Sequence, residues 1–152
     1  MNIIRITKQF VFETAHALWG YDGLCKNIHG HSYQLDVTVK GHVLDDKNNP
    51  KDGMVIDFSV IKDVVQEQVV SEFDHALLLN GNSPHKDMVP SFQHIGRIVL
   101  VNYQPTCENM LIDIASRIRH HLPHGIHLHH LKLRETPSSY AEWHADDNLE
   151  SI

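Results

Sequence analysis

Alternating apolar and polar residues mark several segments of the chain as half-buried β-strands. In residues 31–43 apolar side chains occupy every second position from Tyr33 to Val39, and polar side chains lie between them. This period of two is typical of an antiparallel sheet with one solvated face. The same criterion, together with one short apolar run, predicts the remaining strands at 3–13, 98–101, 126–135 and about 139–146.

Two other segments have the spacing of amphipathic helices. Apolar residues from Val60 to Val69 predict a helix over about 59–72, which Asp57 or Ser59 can cap. Thr106 predicts the N-cap of a second helix. Residues 45–53 are expected to form a turn, residues 80–91 form a loop, and Pro123 and Gly125 end the second helix. Because strands precede and follow the helices, we expect an α+β fold with helices on one face of an antiparallel sheet.

Composition narrows the class of protein. The 152 residues carry no repeat or linker and are read as one domain, 1–152. A net charge of −6 argues against nucleic-acid and anionic-membrane partners, and no apolar run approaches the ~20 residues of a membrane span. The N-terminus lacks the features of a signal peptide, and two cysteines are too few for a secreted disulfide framework. We therefore expect a cytoplasmic protein.

Histidine is the unusual component, with 14 residues against 13 lysines and arginines together. In a strand, His29 and His31 lie on one face, and Gly30 between them leaves space for a ligand. If the first two strands pair, His16 lies close to this pair. Three imidazoles suit zinc and leave a fourth coordination position open, as in catalytic zinc sites. A pair of surface histidines without metal is the alternative interpretation.

Other candidate residues have alternative explanations from the sequence. Cys25 can be a fourth metal ligand, a small buried residue or a reactive thiol. Asp74 beside His75 can orient that imidazole for proton transfer, although such pairs also occur by chance. Glu135 shares the parity of the apolar residues on its strand, so it requires a partner, either a ligand or an internal cation. Glu108 at the start of the second helix is explained by the helix dipole. The remaining histidines near the second helix can bind metal adventitiously but are read as mostly solvated: His120, His121, His124, His127, His129 and His130.

Six motifs in order carry a resemblance to a known family over about residues 5–145. They are residues 12–16 (FETAH), Cys25 with 29–31 (HGH), 55–58 (VIDF), 73–75 (FDH) with 79–80 (LN), 105–109 (PTCEN) and 134–136 (RET). Together they resemble the 6-pyruvoyltetrahydropterin synthase / 6-carboxytetrahydropterin synthase family. This resemblance implies the tunnelling (T-) fold, a four-stranded antiparallel sheet with two helices on one face. It also implies a homohexamer, built as a dimer of trimers, with active sites between subunits.

The resemblance also implies roles for the candidate residues. His16, His29 and His31 match the Zn2+ ligands, and Cys25 matches the catalytic thiol, not a ligand. Asp74 and His75 match its proton-relay partners, contributed by a neighbouring subunit. Glu135 matches the carboxylate that anchors the pterin, and Glu108 belongs to a matching pocket motif.

The spacing of the cysteine motif distinguishes the family's reactions. Three residues separate Cys25 from His29, as in the queuosine-pathway branch, and Lys26 argues against cleavage of dihydroneopterin. The expected activity is a zinc-dependent lyase that converts 7,8-dihydroneopterin triphosphate to 6-carboxy-5,6,7,8-tetrahydropterin, with release of acetaldehyde and triphosphate. The alternatives are 6-pyruvoyltetrahydropterin formation and a non-catalytic hexamer that binds zinc or pterin. Segment 81–104 and Cys107 depart from the family pattern at the pocket rim.

Overall fold

The first two strands form a long antiparallel pair in the computed structural model, which describes residues 1–151. β1 spans Ile3–His16 and β2 spans His29–His42. They pair over their whole length, so that the end of β1 lies opposite the start of β2. Both predicted strands are confirmed, and each extends further toward the connection between them than its alternation indicates. This extension makes His16 and His29 directly opposed residues.

Four more strands complete the sheet. They are β3 (Ala76–Asn80), β4 (Arg97–Val101), β5 (His127–Thr136) and β6 (Ser139–His144), and the sheet order is β4-β3-β1-β2-β5-β6. The four-stranded, fully antiparallel sheet expected from the resemblance is therefore wrong. β3 adds parallel to β1, and β4 adds parallel to β3, while the other neighbours are antiparallel. The α+β class is confirmed.

Two helical segments contain most of the helical residues. α1 spans Phe58–Val65 and continues through a π-helical turn, Gln66–Val70, into a final turn α2, Ser71–Phe73. A short helix α3 (Val89–Phe92), preceded by a 3₁₀ turn, lies within the segment expected to be loop, and α4 spans Cys107–Arg119. The predicted caps form: the carboxylate of Asp57 accepts from the Ser59 amide, and the hydroxyl of Thr106 accepts from the Asn109 amide at 3.2 Å. None of the described helices is long and apolar enough to cross a bilayer.

The helices cover one side of the sheet, here called the helix-side face, which contains Phe12, Tyr33, Leu35 and Leu131. These four side chains are almost wholly buried and belong to one cluster with the apolar residues of α1 and α4. The alternate residues of β2, β5 and β6 form the opposite, open face, with Asp36, Lys132 and Glu142 among them. The helix-side face is therefore apolar and belongs to the core, whereas the open face is largely polar.

Candidate metal centre and substrate cavity

Three histidines meet on the helix-side face where β1 ends and β2 begins. His16 pairs with His29 across the strands, and His31 follows two positions later on the same side. The ring centroids lie 4.5 Å apart for His16 and His29, 5.1 Å for His16 and His31, and 5.0 Å for His29 and His31. One ligand nitrogen from each ring lies within 4.8 Å of the others. The alternation of the first two strands therefore produces a cluster of three imidazoles.

Backbone carbonyls orient two of these rings. Nδ1 of His16 donates to the carbonyl of Pro105 at 2.7 Å, and Nδ1 of His29 donates to the carbonyl of Asn27 at 2.7 Å. With the protons on Nδ1, the Nε2 atoms of both rings carry lone pairs, and these atoms face each other at 3.0 Å. Nε2 of His31 is buried without a hydrogen-bond partner among the described residues. Three inward lone pairs, two of them fixed by outer hydrogen bonds, fit a metal that prefers nitrogen ligands.

Burial lowers the pKa of two of the three histidines, His16 and His31. Desolvation lowers the pKa of His16, and the nearby imidazoles act in the same direction. Desolvation also lowers the pKa of His31, although the carboxylate of Glu135 opposes the shift. Both effects favour the neutral imidazole, which is the form that binds metal.

A cavity of about 310 Å³ opens beside the histidines, and Cys25 lies in its wall. Cys25 belongs to a single 3₁₀ turn, Leu24–Lys26, in the connection between β1 and β2, and its thiol is free. His16, Glu108 and Glu135 line the same cavity. The structure thus brings the predicted thiol, one predicted metal ligand and both predicted pterin-binding carboxylates around one space.

Glu135 reaches the cavity from the second-to-last residue of β5. The pairing of β5 with β6 shifts register between Arg134 and Thr136, so Glu135 is the extra residue of a bulge. Its carboxylate accepts a hydrogen bond from the hydroxyl of Tyr33 at 3.1 Å and lies 3.8 Å from Nε2 of His31. The sequence parity correctly predicted that this carboxylate points to the apolar side. Among the described residues, its partners are a tyrosine and a histidine, and not a lysine or an arginine.

Tyr33 is a site residue that the sequence did not single out. Burial raises the pKa of its hydroxyl, with a further contribution from Glu135, so the phenol stays protonated and donates to that carboxylate. The available signal was its position on β2, two residues after His31 on the same face. A tyrosine in an apolar alternating pattern is ordinarily read as core, and Tyr33 is fully buried as well.

The second cysteine of the cavity has a different environment from the first. Cys107 begins α4, and its thiol donates to the carbonyl of Leu133 at 3.3 Å. Burial, with a contribution from Glu135, raises the pKa of Cys107 to about 12. This thiol is therefore held protonated and is unsuited to accept a proton.

Within one chain, Asp74 and His75 lie outside the cavity that Cys25 lines. They connect α2 to β3, and His75 lines a cavity of about 440 Å³ together with Glu13 and Arg97. Nδ1 of His75 lies 3.0 Å from the Asp74 carboxylate, whose other oxygen accepts from the Glu13 amide at 2.9 Å. The amide hydrogen bond, with a contribution from His75, lowers the pKa of Asp74. The pair is thus preformed, and the exposed His75 has a left-handed backbone, with φ of 57°.

Comparison with known proteins shows the family to which this chain belongs. The family model described as 6-pyruvoyl tetrahydropterin synthase matches residues 5–146, so the chain belongs to this family. The 6-carboxy-5,6,7,8-tetrahydropterin synthase of Haemophilus influenzae is 32% identical over 143 residues, covering 93% of this chain and 99% of that protein. The protein of the same name from Rickettsia bellii is 31% identical, covering 92% and 99% respectively. The chain is therefore a pterin synthase homologue, and an enzyme is the supported class of protein.

A solved structure shows the same fold. The 6-pyruvoyl tetrahydropterin synthase of Caenorhabditis elegans superposes with a TM-score of 0.68 at 24% identity, and the match covers 95% of this chain and 97% of that one. At this identity the similarity establishes the α+β architecture alone. The particular reaction has to be argued from the site.

Proposed function

We propose that this protein is a zinc-dependent lyase that converts 7,8-dihydroneopterin triphosphate to 6-carboxy-5,6,7,8-tetrahydropterin. The reaction consumes one water and releases acetaldehyde and triphosphate, and its product leads toward queuosine and related 7-deazapurines. The observation that carries this proposal is the convergence of three imidazoles, two of them oriented by backbone carbonyls, beside a cavity that also contains a free thiol and a tyrosine-bound carboxylate. The names of the two curated relatives support this branch of the family.

His16, His29 and His31 would hold the zinc ion. Their neutral imidazoles provide three nitrogen ligands, and three protein ligands leave a coordination position free for substrate. When bound there, zinc supplies Lewis acidity toward the side-chain hydroxyls of the substrate. The carbonyls of Pro105 and Asn27 keep the rings oriented, which is the usual contribution of residues outside the ligand set.

In this proposal Cys25 transfers a proton and Glu135 binds the pterin. The thiolate of Cys25 would accept and return a proton at the substrate side chain, because Cys107, the other thiol in this wall, is held protonated. The carboxylate of Glu135 would accept two N–H donors from the amino-pyrimidinone edge of the pterin. Tyr33 holds one oxygen of that carboxylate in place at 3.1 Å, and Glu108 contributes charge at the cavity wall.

Asp74 and His75 would serve a neighbouring subunit. Because neither residue lines the cavity of Cys25 in its own chain, their use in proton relay to Cys25 would require an active site formed between subunits. A homohexamer, arranged as a dimer of trimers, provides such interfaces. Mixing inactive Cys25→Ala chains with inactive His75→Ala chains tests this point, because shared sites regain activity in mixed oligomers and self-contained sites do not.

The alternative reaction is formation of 6-pyruvoyltetrahydropterin from the same substrate, which the description of the matching family model favours. Incubation of the zinc-loaded protein with dihydroneopterin triphosphate, followed by mass analysis of pterin and volatile products, separates the two. The proposal predicts acetaldehyde, triphosphate and the carboxy-pterin in equal amounts. Triphosphate release without acetaldehyde indicates the pyruvoyl product, and binding without turnover indicates a non-catalytic pterin-binding protein. Either result overturns the proposed reaction.

A further inference from the structure

A second cluster of potential metal ligands lies on the open face, away from the cavity. His130 on β5 and His144 on β6 are direct cross-strand partners, and Glu142 lies two residues before His144 on the same face. One donor atom from each of the three residues lies within 4.8 Å of the others. These residues, here called the open-face cluster, belong to neither the thiol cavity nor the cavity lined by His75.

The donor atoms of the open-face cluster face each other. Nε2 of His130 lies 3.6 Å from one oxygen of Glu142, and Nε2 of His144 lies 3.5 Å from the other oxygen. The two imidazoles stack with their centroids 4.3 Å apart. Nε2 of His130 is buried and has no hydrogen-bond partner among the described residues. An unsatisfied buried ring nitrogen is costly, and a bound cation removes this cost.

The local charges also favour a cation. Among the described residues, the ion pairs of Glu142 within 4.0 Å involve the two histidines alone. Lys132, which is paired with Glu142 in the sheet, instead places its ammonium 3.9 Å from the ring centroid of Tyr140. Asp36 on β2 is the other register partner of Lys132 and adds negative charge on this face. When two imidazoles and one carboxylate bind a metal, the imidazoles bind in their neutral form, so the ligand set carries a net charge of −1, which suits a divalent ion.

We infer that His130, Glu142 and His144 form a second metal site that takes a divalent transition-metal ion such as Zn2+. Two histidines and a glutamate are an established zinc ligand set, and three protein ligands leave a further position for water or a ligand. The ion would link β5 to β6, which is the strand at the edge of the sheet. This inference does not depend on the proposed reaction, because the cluster shares no residue with the candidate active site.

Zinc stoichiometry of the full-length protein tests this inference. Protein stripped with a chelator is titrated with Zn2+ alone, and bound metal is measured by calorimetry and elemental analysis. Wild type is expected to bind two ions per chain, and His144→Gln and Glu142→Gln are expected to bind one. His127→Gln is the matched control, because His127 is an exposed histidine on the same strand β5 and should leave both ions in place.

Two further measurements distinguish loss of the open-face site from misfolding and from zinc binding at the helix-side cluster. Metal-free His144→Gln should unfold at the same temperature as metal-free wild type, whereas the second zinc equivalent should raise the unfolding temperature of wild type only. A His29→Ala chain, which removes a ligand of the helix-side cluster, should still bind one ion. A zinc content that His144→Gln leaves at the wild-type value, or a His29→Ala chain that binds no zinc, overturns the inference.

Discussion

The two histidine clusters of this protein differ in how their rings are held. On the helix-side face, the outer nitrogens of His16 and His29 donate to backbone carbonyls at 2.7 Å. On the open face, His130 and His144 are oriented by mutual stacking and by one carboxylate, and Glu142 is exposed. Fixed outer hydrogen bonds pre-organise a metal site. We therefore expect the helix-side cluster to bind zinc more tightly.

The surroundings of the two clusters differ as well. His16 of the helix-side cluster lines a cavity of about 310 Å³ that also contains a thiol and two carboxylates, so a ligand bound there meets acid–base groups. The open-face cluster lies on strands β5 and β6 among solvated polar side chains. Metal ligands alone do not make a catalytic centre. Both clusters contain histidines, but among the described residues only the helix-side cluster has a thiol and carboxylates beside it. We therefore propose that catalysis takes place at the helix-side cluster.

The largest effect is expected from removing a helix-side ligand. His31→Ala should abolish measurable turnover and lower zinc affinity by more than the ~10–100-fold that loss of a group outside the ligand set costs. The open-face cluster should keep its ion, so elemental analysis should find one zinc per chain. Full activity in this variant would show that the chemistry does not require the helix-side metal.

Replacing the thiol tests the acid–base part of the cavity separately from the metal. Cys25→Ala should lower kcat by about 10²–10⁴-fold, the usual contribution of a general acid–base group. Zinc content should stay at the wild-type value, because the cysteine is not proposed as a ligand. Steady-state kinetics and elemental analysis on the same sample provide both readings, and loss of zinc together with kcat would make Cys25 a ligand.

Glu135→Gln should act mainly on substrate binding. An amide oxygen replaces the charged acceptor, and hydrogen bonds to a charged group contribute about 1.5–3 kcal/mol. KM should therefore rise by about 10–100-fold. Tyr33→Phe provides the graded comparison, because it removes only the 3.1 Å hydrogen bond to Glu135 and should raise KM less. A larger effect from Tyr33→Phe than from Glu135→Gln would contradict the proposed anchor.

The smallest effect is expected for the stability contributed by Asp74, which is paired with His75 outside the thiol cavity. Because the pKa of Asp74 is lowered in the folded state, its stabilising contribution is present above about pH 4 and is lost as the pH falls through the folded-state pKa. Asp74→Asn should therefore be slightly less stable than wild type at pH 6, and the difference should shrink toward pH 2. Urea unfolding at several pH values measures this difference, with the exposed Asp22→Asn as control. A pH-independent difference would contradict the assignment.

Strong periodicity made much of the fold predictable. β1, β2, α4 and its Thr106 cap follow from alternation, helical spacing and capping chemistry, and the helix-side histidine cluster follows from strand parity. β3 was not predicted, because Ala76–Asn80 is a short apolar run without alternation, and such a run does not distinguish a buried strand from helix. The four-stranded sheet was an expectation from the family resemblance, whereas the sequence pattern itself indicates five strands, and β3 is the sixth.

In the candidate site, too, local sequence patterns predicted some features, whereas contacts between residues distant in sequence were not predicted. Parity placed the carboxylate of Glu135 toward the apolar side, but its hydrogen bond to Tyr33 joins residues 102 positions apart. The carbonyls that orient His16 and His29 are backbone atoms, so their roles leave no side-chain signature. His130 was read among solvated histidines, because its partners on β6 become neighbours only through the closing strand pair.

Anomalous diffraction at the zinc edge, from crystals of the zinc-loaded protein, tests the central claim most directly. We predict a strong peak bonded to Nε2 of His16, His29 and His31 at about 2.0–2.1 Å, with the sulfur of Cys25 outside the coordination sphere. The absence of a peak among these rings, or a bond of about 2.3 Å from zinc to Cys25, would contradict the account.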